Sequence, residues 1–402
     1  MDTNKTPLPE LELDCLRAVK LLGKGATGTV FLVHDESKPD QPFALKVVEK
    51  SPAVHHHAAS RARHEIAVLN RLSSATAQSP FLPNLIGSSE NQDFICWATP
   101  FCPGGDLNVL RYQQNDHVFS PAAIRFYIAE IICALENLHG QSIVYRDLKP
   151  ENVLIQQSGH VTLTDFDLSR DLVVKKPGNP NLYSDLEEEK PVKHQSKELN
   201  RKLTRRNKKG TKKAKCARVS PVSRRNPNYT TSTNDRSNSF VGTEEYVAPE
   251  VIRAEGHEFA VDWWALGVLC YEMLYGATPF KGRNRKETYR NILLAEPVFI
   301  GKANALTDLI RRLLEKDPTR RLGYYGGASE IKEHEFFRGL RWDLLTEVLR
   351  PPFLPSIDGE ADGLTEGGID IKEYFQKLRQ PPSPLWSPSR DECRDNVSLT
   401  EF

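Results

Sequence analysis

The chain has 402 residues, with 54 Lys+Arg against 53 Asp+Glu and a formal net charge of +1, a length that suits one or two globular lobes. Hydrophobic residues make up 39% of it and glycines occupy 24 more positions, enough to bury a large core, so a wholly disordered chain is excluded. The longest apolar stretch, from Trp263 to Ala277, carries Glu272 and falls short of the ~20 residues that a bilayer requires. Met1-Asp-Thr-Asn-Lys5 offers no apolar signal core. The seven cysteines are scattered, without CxxC or Cys/His spacing, so they read as reduced thiols of an intracellular protein rather than as a zinc site.

In chain order, residues 17–22, 29–34 and 42–48 are short apolar or β-branched runs separated by Gly and Pro, and they predict strands. Residues 61–72 carry a helical pattern, and 94–99 predict another strand. Ser120-Pro121 predicts a helix start, with Ser as N-cap and Pro in the first turn; Ile124, Ile128, Ile131, Leu135 and Leu138 follow at helical spacing and Gly140 is the expected stop. A β-rich first part followed by helices predicts an α+β chain with two lobes. Lys190 to Arg225 holds 15 Lys/Arg and one acid, Glu198. Patterned sequence flanks this window, which predicts a disordered basic insertion. The tail from Leu349, rich in Pro and Gly, is expected to be extended and tied down at points.

The first chemical motif is Gly23-Lys-Gly25-Ala-Thr-Gly28-Thr-Val30. Glycines let backbone N–H groups approach phosphate oxygens, but the pattern also suits a plain hairpin turn. A Rossmann reading needs a helix after the third glycine and an acid about 20 residues on, whereas a strand and Lys46 follow here. Lys46, in Phe43-Ala-Leu-Lys46, sits among apolar strand residues and needs a charged partner unless it snorkels from an edge. Glu65, on the helix of residues 61–72, is the candidate.

Ile143-Val-Tyr-Arg146-Asp147-Leu-Lys149-Pro-Glu151-Asn152, followed by Asp165-Phe-Asp167, resembles the catalytic loop and metal-binding motif of protein kinases. The resemblance covers about residues 17–342 apart from the insertion. It implies the bilobal kinase fold, with a first lobe at about 17–99 and a second at about 103–342, after an extension at 1–16. The insertion, about 171–236, falls in the activation segment, and 343–402 form a tail. Asp147 would accept the substrate hydroxyl proton and Lys149 neutralise the transferring phosphoryl group. Asn152 and Asp165 would hold Mg2+, and Lys46, held by Glu65, would grip the ATP phosphates. Leu22, Gly23, Gly25, Gly28, Val30, Ala44, Thr99, Pro100, Cys102 and Asp106 complete the implied ATP site. There Thr99 matches the gatekeeper, Cys102 offers an N–H to adenine, and Pro100 stands where only a carbonyl is needed. Glu250 of Ala248-Pro-Glu250 would pair with Arg321, and Asp262 would anchor the catalytic loop.

Finer features look like the plant AGC-class serine/threonine kinases of the group with Asp-Phe-Asp for Asp-Phe-Gly, and nearest to its UNICORN-type members. Leu22-Gly-Lys-Gly-Ala-Thr-Gly-Thr-Val-Phe-Leu-Val-His34, the insertion before Ser239-Phe-Val-Gly-Thr243, and Leu345-Thr-Glu-Val-Leu-Arg-Pro-Pro-Phe-Leu-Pro355 carry that likeness. The oxidative-signal-inducible kinase is a near relative. The likeness implies a role in growth and developmental signalling. It also implies substrates with Arg or Lys before the Ser/Thr, read by Asp106, Glu151 and Glu272; for Glu272 a helix-packing salt bridge is the alternative. Ser239 would be the activating phosphosite, its phosphate gathered by Arg146 and Arg170. An upstream phosphoinositide-dependent kinase is the implied activator, with autophosphorylation as the alternative route. It docks on Phe-x-x-Phe in relatives, where this chain ends Leu399-Thr-Glu-Phe402. Asp167 replaces a glycine whose backbone freedom helps the motif flip, and Ile371-Lys-Glu-Tyr-Phe375 matches the adenine-side tether of the AGC tail only loosely.

Two other classes are set against this. A scaffold without turnover would need Lys46, Asp147, Asn152 or Asp165 lost, and all are present. A nucleic-acid binder would need aromatics among its basic residues, so nucleic acid is not expected as the main ligand; a monomer is. The insertion has the density of a nuclear-import signal, which predicts a protein shared between nucleus and cytoplasm, with anionic membrane at the cell periphery as the alternative. Neutralising Lys208, Lys209, Lys212 and Lys213 is expected to move a fluorescent fusion out of the nucleus; an unchanged distribution refutes the signal.

Overall fold

Five strands open the chain: β1 (Leu16–Gly25), β2 (Gly28–Asp35), β3 (Lys38–Glu49), β4 (Gly87–Glu90) and β5 (Phe94–Pro100). They form one antiparallel sheet in the order β1-β2-β3-β5-β4, with helix α1 (Ala58–Ser74) between β3 and β4 in sequence. The computed structural model describes residues 10–25, 28–36, 38–50, 58–75, 78–172, 244–256, 258–348, 350–355, 370, 371 and 373. Residues 173–236 of the basic insertion, Ser239 and Leu399 to Phe402 fall outside them. All described residues belong to one compact unit.

Period-two alternation explains the sheet. Phe31, Val33, Phe43, Leu45 and Val47 turn into one buried cluster with Leu16, Ala18, Phe94, Cys96 and Ala98, which leaves Val30, Ala44 and Lys46 on the other face. Registry sets Val30 opposite Lys46, Lys46 opposite Trp97 and Ala44 opposite Thr99. Each strand predicted from sequence is present and slightly longer, while β4, Gly-Ser-Ser-Glu, has no β-branched or alternating signal and is held by its pairing with β5.

After α2 (Leu107–Tyr112) comes α3 (Pro121–Gly140), then the short strands β6 (Ile143–Val144), β7 (Val153–Ile155), β8 (Val161–Leu163) and β9 (Arg170–Asp171), paired β6-β9 and β7-β8. Ser120 caps α3 as expected, its side chain accepting from the Ala123 N–H at 3.2 Å. Gly140 is still helical; Gln141 is the cap, and the turn is completed by Ser142 at φ 61°. The second lobe continues with α4 (Pro249–Ile252), α5 (Ala260–Tyr275), α6 (Arg285–Leu294), α7 (Ala305–Leu313), α8 (Gly327–Lys332) and α9 (Leu345–Val348). The longest apolar run of the sequence is α5. Its residues from Ala260 to Cys270 are buried without interruption, the mark of a helix packed on every side. Burying Trp263 and Trp264 completely contributes about 1.5–3 kcal/mol each. Among the described residues no helix is long and apolar enough to cross a membrane.

The tail touches both lobes. Phe353 lies 6.1 Å from the Phe119 ring, while Ile371 is 3% exposed within the sheet cluster, beside the Asp370–Arg17 pair at 3.8 Å. Ile371 thus covers the sheet face opposite Lys46, while Lys372, Tyr374 and Phe375 of the expected adenine-side tether lie outside the described residues.

Candidate active site

The lysine of β3 meets two carboxylates from distant parts of the chain. Lys46 Nζ donates to Glu65 Oε2 at 2.9 Å and to Asp165 Oδ1 at 2.7 Å. Its ammonium also sits 5.2 Å from the centroid of the Trp97 ring. Burial opposes its charge, but the pull of Glu65 and Asp165 prevails and raises its pKa above the ordinary lysine value. Burial also pushes Glu65 up, aided by Asp165 and Asp167 against the opposing Lys46. The Lys46 shift follows from two acids answering one ammonium, and the Glu65 shift from burial first and the neighbouring acids second.

The loop between β6 and β7 carries the second group. Lys149 Nζ donates to Asp147 Oδ2 at 2.8 Å, and Asn152 Nδ2 donates to the same oxygen at 2.9 Å and to the Asp147 carbonyl at 2.8 Å. Asp147 is buried, which raises its pKa against the counter-pull of Lys149 and Asn152. Arg146 and Asp165 hold left-handed backbone, at φ 73° and 58°, a conformation that costs about 1–3 kcal/mol per residue and needs fixing from outside. For Arg146, Asp262, wholly buried at the start of α5, supplies that fixing. Its Oδ2 accepts from the Tyr145 N–H at 2.9 Å and faces His139 Nε2 at 2.8 Å, and its Oδ1 accepts from the Arg146 N–H at 2.8 Å. Phe166, fully buried, packs 5.5 Å from Tyr145. Below this, Arg321 donates to both oxygens of Glu250 at 2.7 and 2.9 Å and to the carbonyls of Ala260 and Glu315 at 2.8 and 3.0 Å.

Around the β1–β2 turn, the residues present fit a phosphate-bearing ligand. Gly28 needs to be glycine for the fold itself: its φ is 138° and a Cβ would lie 2.6 Å from the Val47 carbonyl oxygen. A Cβ on Gly23 or Gly25 would meet nothing within 4 Å, so the chain's own packing does not demand glycine there, whereas close approach of a phosphate does. Val30, Ala44, Thr99 and Cys102 are half-buried, Pro100 ends β5, and Leu22 is exposed. Burial pushes the Cys102 thiol up to about 12. Asp106 has a duty the sequence did not announce: it caps α2, its Oδ1 accepting from the Val109 N–H at 2.8 Å. Among the described residues no cluster of three or more His, Cys, Asp or Glu could hold a metal ion. Asn152 and Asp165 offer an amide and a carboxylate oxygen, the sparse protein set that Mg2+ uses when phosphate and water supply the remainder.

A family model described as Protein kinase domain matches residues 16–186 and 227–337. The serine/threonine-protein kinases UCNL and UCN of Arabidopsis thaliana are each 58% identical to this chain over 99% of it, covering 98% and 97% of their own lengths. The chain belongs to the protein kinase family. It is a plant AGC-class serine/threonine kinase, similar also to the Arabidopsis serine/threonine-protein kinase OXI1, at 43% identity over 92% of the chain and 86% of that protein.

Of the remaining predicted residues, Glu151 is exposed, whereas the Glu272 side chain is 12% exposed and engaged by Arg111 at 3.2 Å and by the Tyr246 hydroxyl. The packing salt bridge named for Glu272 is therefore present. Burial raises Glu272, with Glu151 and Glu245 adding to it against Tyr246 and Arg111, so three carboxylates of the kinase share this corner. Arg170 is exposed on β9, opposite Val144. Burial, then the neighbouring Arg170, lowers Arg146 to about 10, and Arg61 adds to the effect. Three arginines thus gather at one place. Sequence reasoning missed Arg61, although it stands one helical turn before Glu65, a spacing that puts both on one face of α1. It also missed Trp97, Arg111 and His139, whose roles come from distant contacts.

Proposed function

We propose that the kinase transfers the γ-phosphoryl group of ATP, with Mg2+, to Ser/Thr preceded by Arg or Lys. The observation that carries this reading is the convergence of Lys46, Glu65 and Asp165 beside Asp147, Lys149 and Asn152. Asn152 and Asp165 would hold Mg2+, which would supply charge neutralisation at the phosphate oxygens. Lys46 grips the phosphates from β3, and Glu65 keeps its ammonium in place. Asp147 takes the hydroxyl proton as the substrate oxygen attacks, its carboxylate aimed by Asn152 and Lys149. Lys149 then balances charge on the transferring group. The basic-context preference is supported by the closeness of the exposed Glu151 to Glu272 beside Arg111, since carboxylates bind guanidinium bidentately. Asp106 contributes to the peptide side and to the ribose side of the same cleft.

Phosphorylation of Ser239 activates the enzyme, the phosphate entering the gathering of Arg146 and Arg170. Growth and developmental signalling is assigned on resemblance; normal organ growth in a loss-of-function plant removes that assignment.

One experiment tests the chemistry and its control. Purified wild type on a peptide array is expected to favour Arg or Lys before the target, Asp165→Asn to fall to background, and Ser239→Ala to lose about tenfold or more. A preference for acidic or proline-directed peptides overturns the substrate reading, and full activity of Ser239→Ala overturns the switch.

A further inference from the structure

Asp167, which stands where a glycine is usual, has a partner that accounts for it. Its backbone is not in the positive-φ region, unlike that of Asp165, so the position accepts a side chain without strain. The carboxylate is 5% exposed and its Oδ2 lies 3.6 Å from Arg61 Nη1, with no hydrogen bond of its own. A buried carboxylate near two others is costly unless a cation answers it. Lys46 is already bonded to Glu65 and Asp165. Among the described residues Arg61 is the other cation that acts on Asp167, and its own surroundings include Arg146, so each charge gains from the other. Burial holds Asp167 up at about 6, with Asp165 adding to it and Lys46 and Arg61 opposing.

We propose that Asp167 is a positioning residue: through Arg61 it ties α1 to the Asp165-Phe166-Asp167 loop and so keeps Glu65 within reach of Lys46. The geometry supports a lever of this kind because Arg61 and Glu65 are one turn apart on the same helix face. Movement of that turn away from the loop carries Glu65 off its lysine. A neighbouring tie, His64 Nε2 to the Ser169 carbonyl at 2.8 Å, reaches the backbone and does not depend on the Asp167 charge. The tie rests on the reading of Lys46 and Glu65 given above.

The test compares wild type, Asp167→Asn, Arg61→Gln, Arg61→Lys and the double variant Asp167→Asn/Arg61→Gln. Steady-state kinetics is run beside backbone hydrogen exchange of α1. Asp167→Asn and Arg61→Gln are each expected to lower kcat about tenfold with little change in KM for peptide, and the double variant to be no worse than the poorer single. Arg61→Lys retains more activity than Arg61→Gln. Exchange in α1 quickens by about the same factor in both single variants, while α3 and α5 stay protected. The thermal midpoint of Asp167→Asn holds or rises, because a buried charge is removed; a merely structural Asp167 would lower it. Wild-type kcat with wild-type α1 exchange in Asp167→Asn overturns the proposal, as do losses that multiply in the double variant. If wild type proves inactive on peptides, the functional reading fails, and the exchange of α1 still decides whether the tie exists.

Discussion

Lys46→Met is expected to lower the phosphorylation rate by about a thousandfold or more, measured as radiolabelled phosphate incorporated into peptide. The lysine links Glu65 on α1 to Asp165 on the metal-binding loop, at 2.9 and 2.7 Å. Its removal takes away a phosphate-gripping charge and lets two carboxylates face each other. The lobe is nevertheless expected to stay folded, because Glu65, already pushed upward by burial, can take a proton instead of standing as an unpaired buried charge. Methionine fills most of the lysine stem's volume beside Trp97. Equal incorporation by the variant and the wild type would falsify the assigned role of the site.

Arg321→Ala is expected to cost the second lobe about 3–5 kcal/mol. The Arg321 side chain is wholly buried, forks onto both oxygens of Glu250 and donates to two backbone carbonyls. Its guanidinium lies 5.2 Å from the Trp264 ring. Truncation leaves Glu250, 4% exposed, without its counter-charge and two buried carbonyls without a donor. A urea titration followed by tryptophan fluorescence reads the loss, since Trp263, Trp264 and Trp342 all lie in this lobe. A midpoint within error of wild type refutes it. Glu250→Gln is expected to cost less, because its amide still accepts from Arg321.

How much of this could be read in advance depended on whether a role was local. The β3 and α3 patterns, the Ser120 cap and the catalytic loop are written in runs of neighbouring residues, and these were legible. Lys46 and Glu65 could be paired because an apolar strand has to answer a buried charge. The Gly140 stop was misplaced by one residue, since helix ends depend on the turn that follows. Glu272 carried an ambiguity that only the positions of Arg111 and Tyr246 could decide. Those residues meet it from elsewhere in the chain, and no spacing rule connects them. β4 and the burial of Ile371 were invisible for a related reason: a polar strand and a lone isoleucine take their structure from the sheet they join.

The dependence of the catalytic loop on Asp262 has a consequence for the order in which this protein can become an enzyme. Tyr145 and Arg146 are held by a carboxylate more than a hundred positions further along the chain, across a loop whose closure costs conformational entropy before the contact rewards it. A chain emerging from the ribosome therefore presents the whole nucleotide-binding sheet and Asp147 well before the segment that fixes the loop of Asp147. Until α5 has been synthesised and has packed, the left-handed backbone at Arg146 lacks the bond that Asp262 gives it. Catalytic competence thus arrives late in synthesis, when most of the second lobe is already made, and a nascent chain truncated before Asp262 carries the sequence motifs of a kinase without its activity.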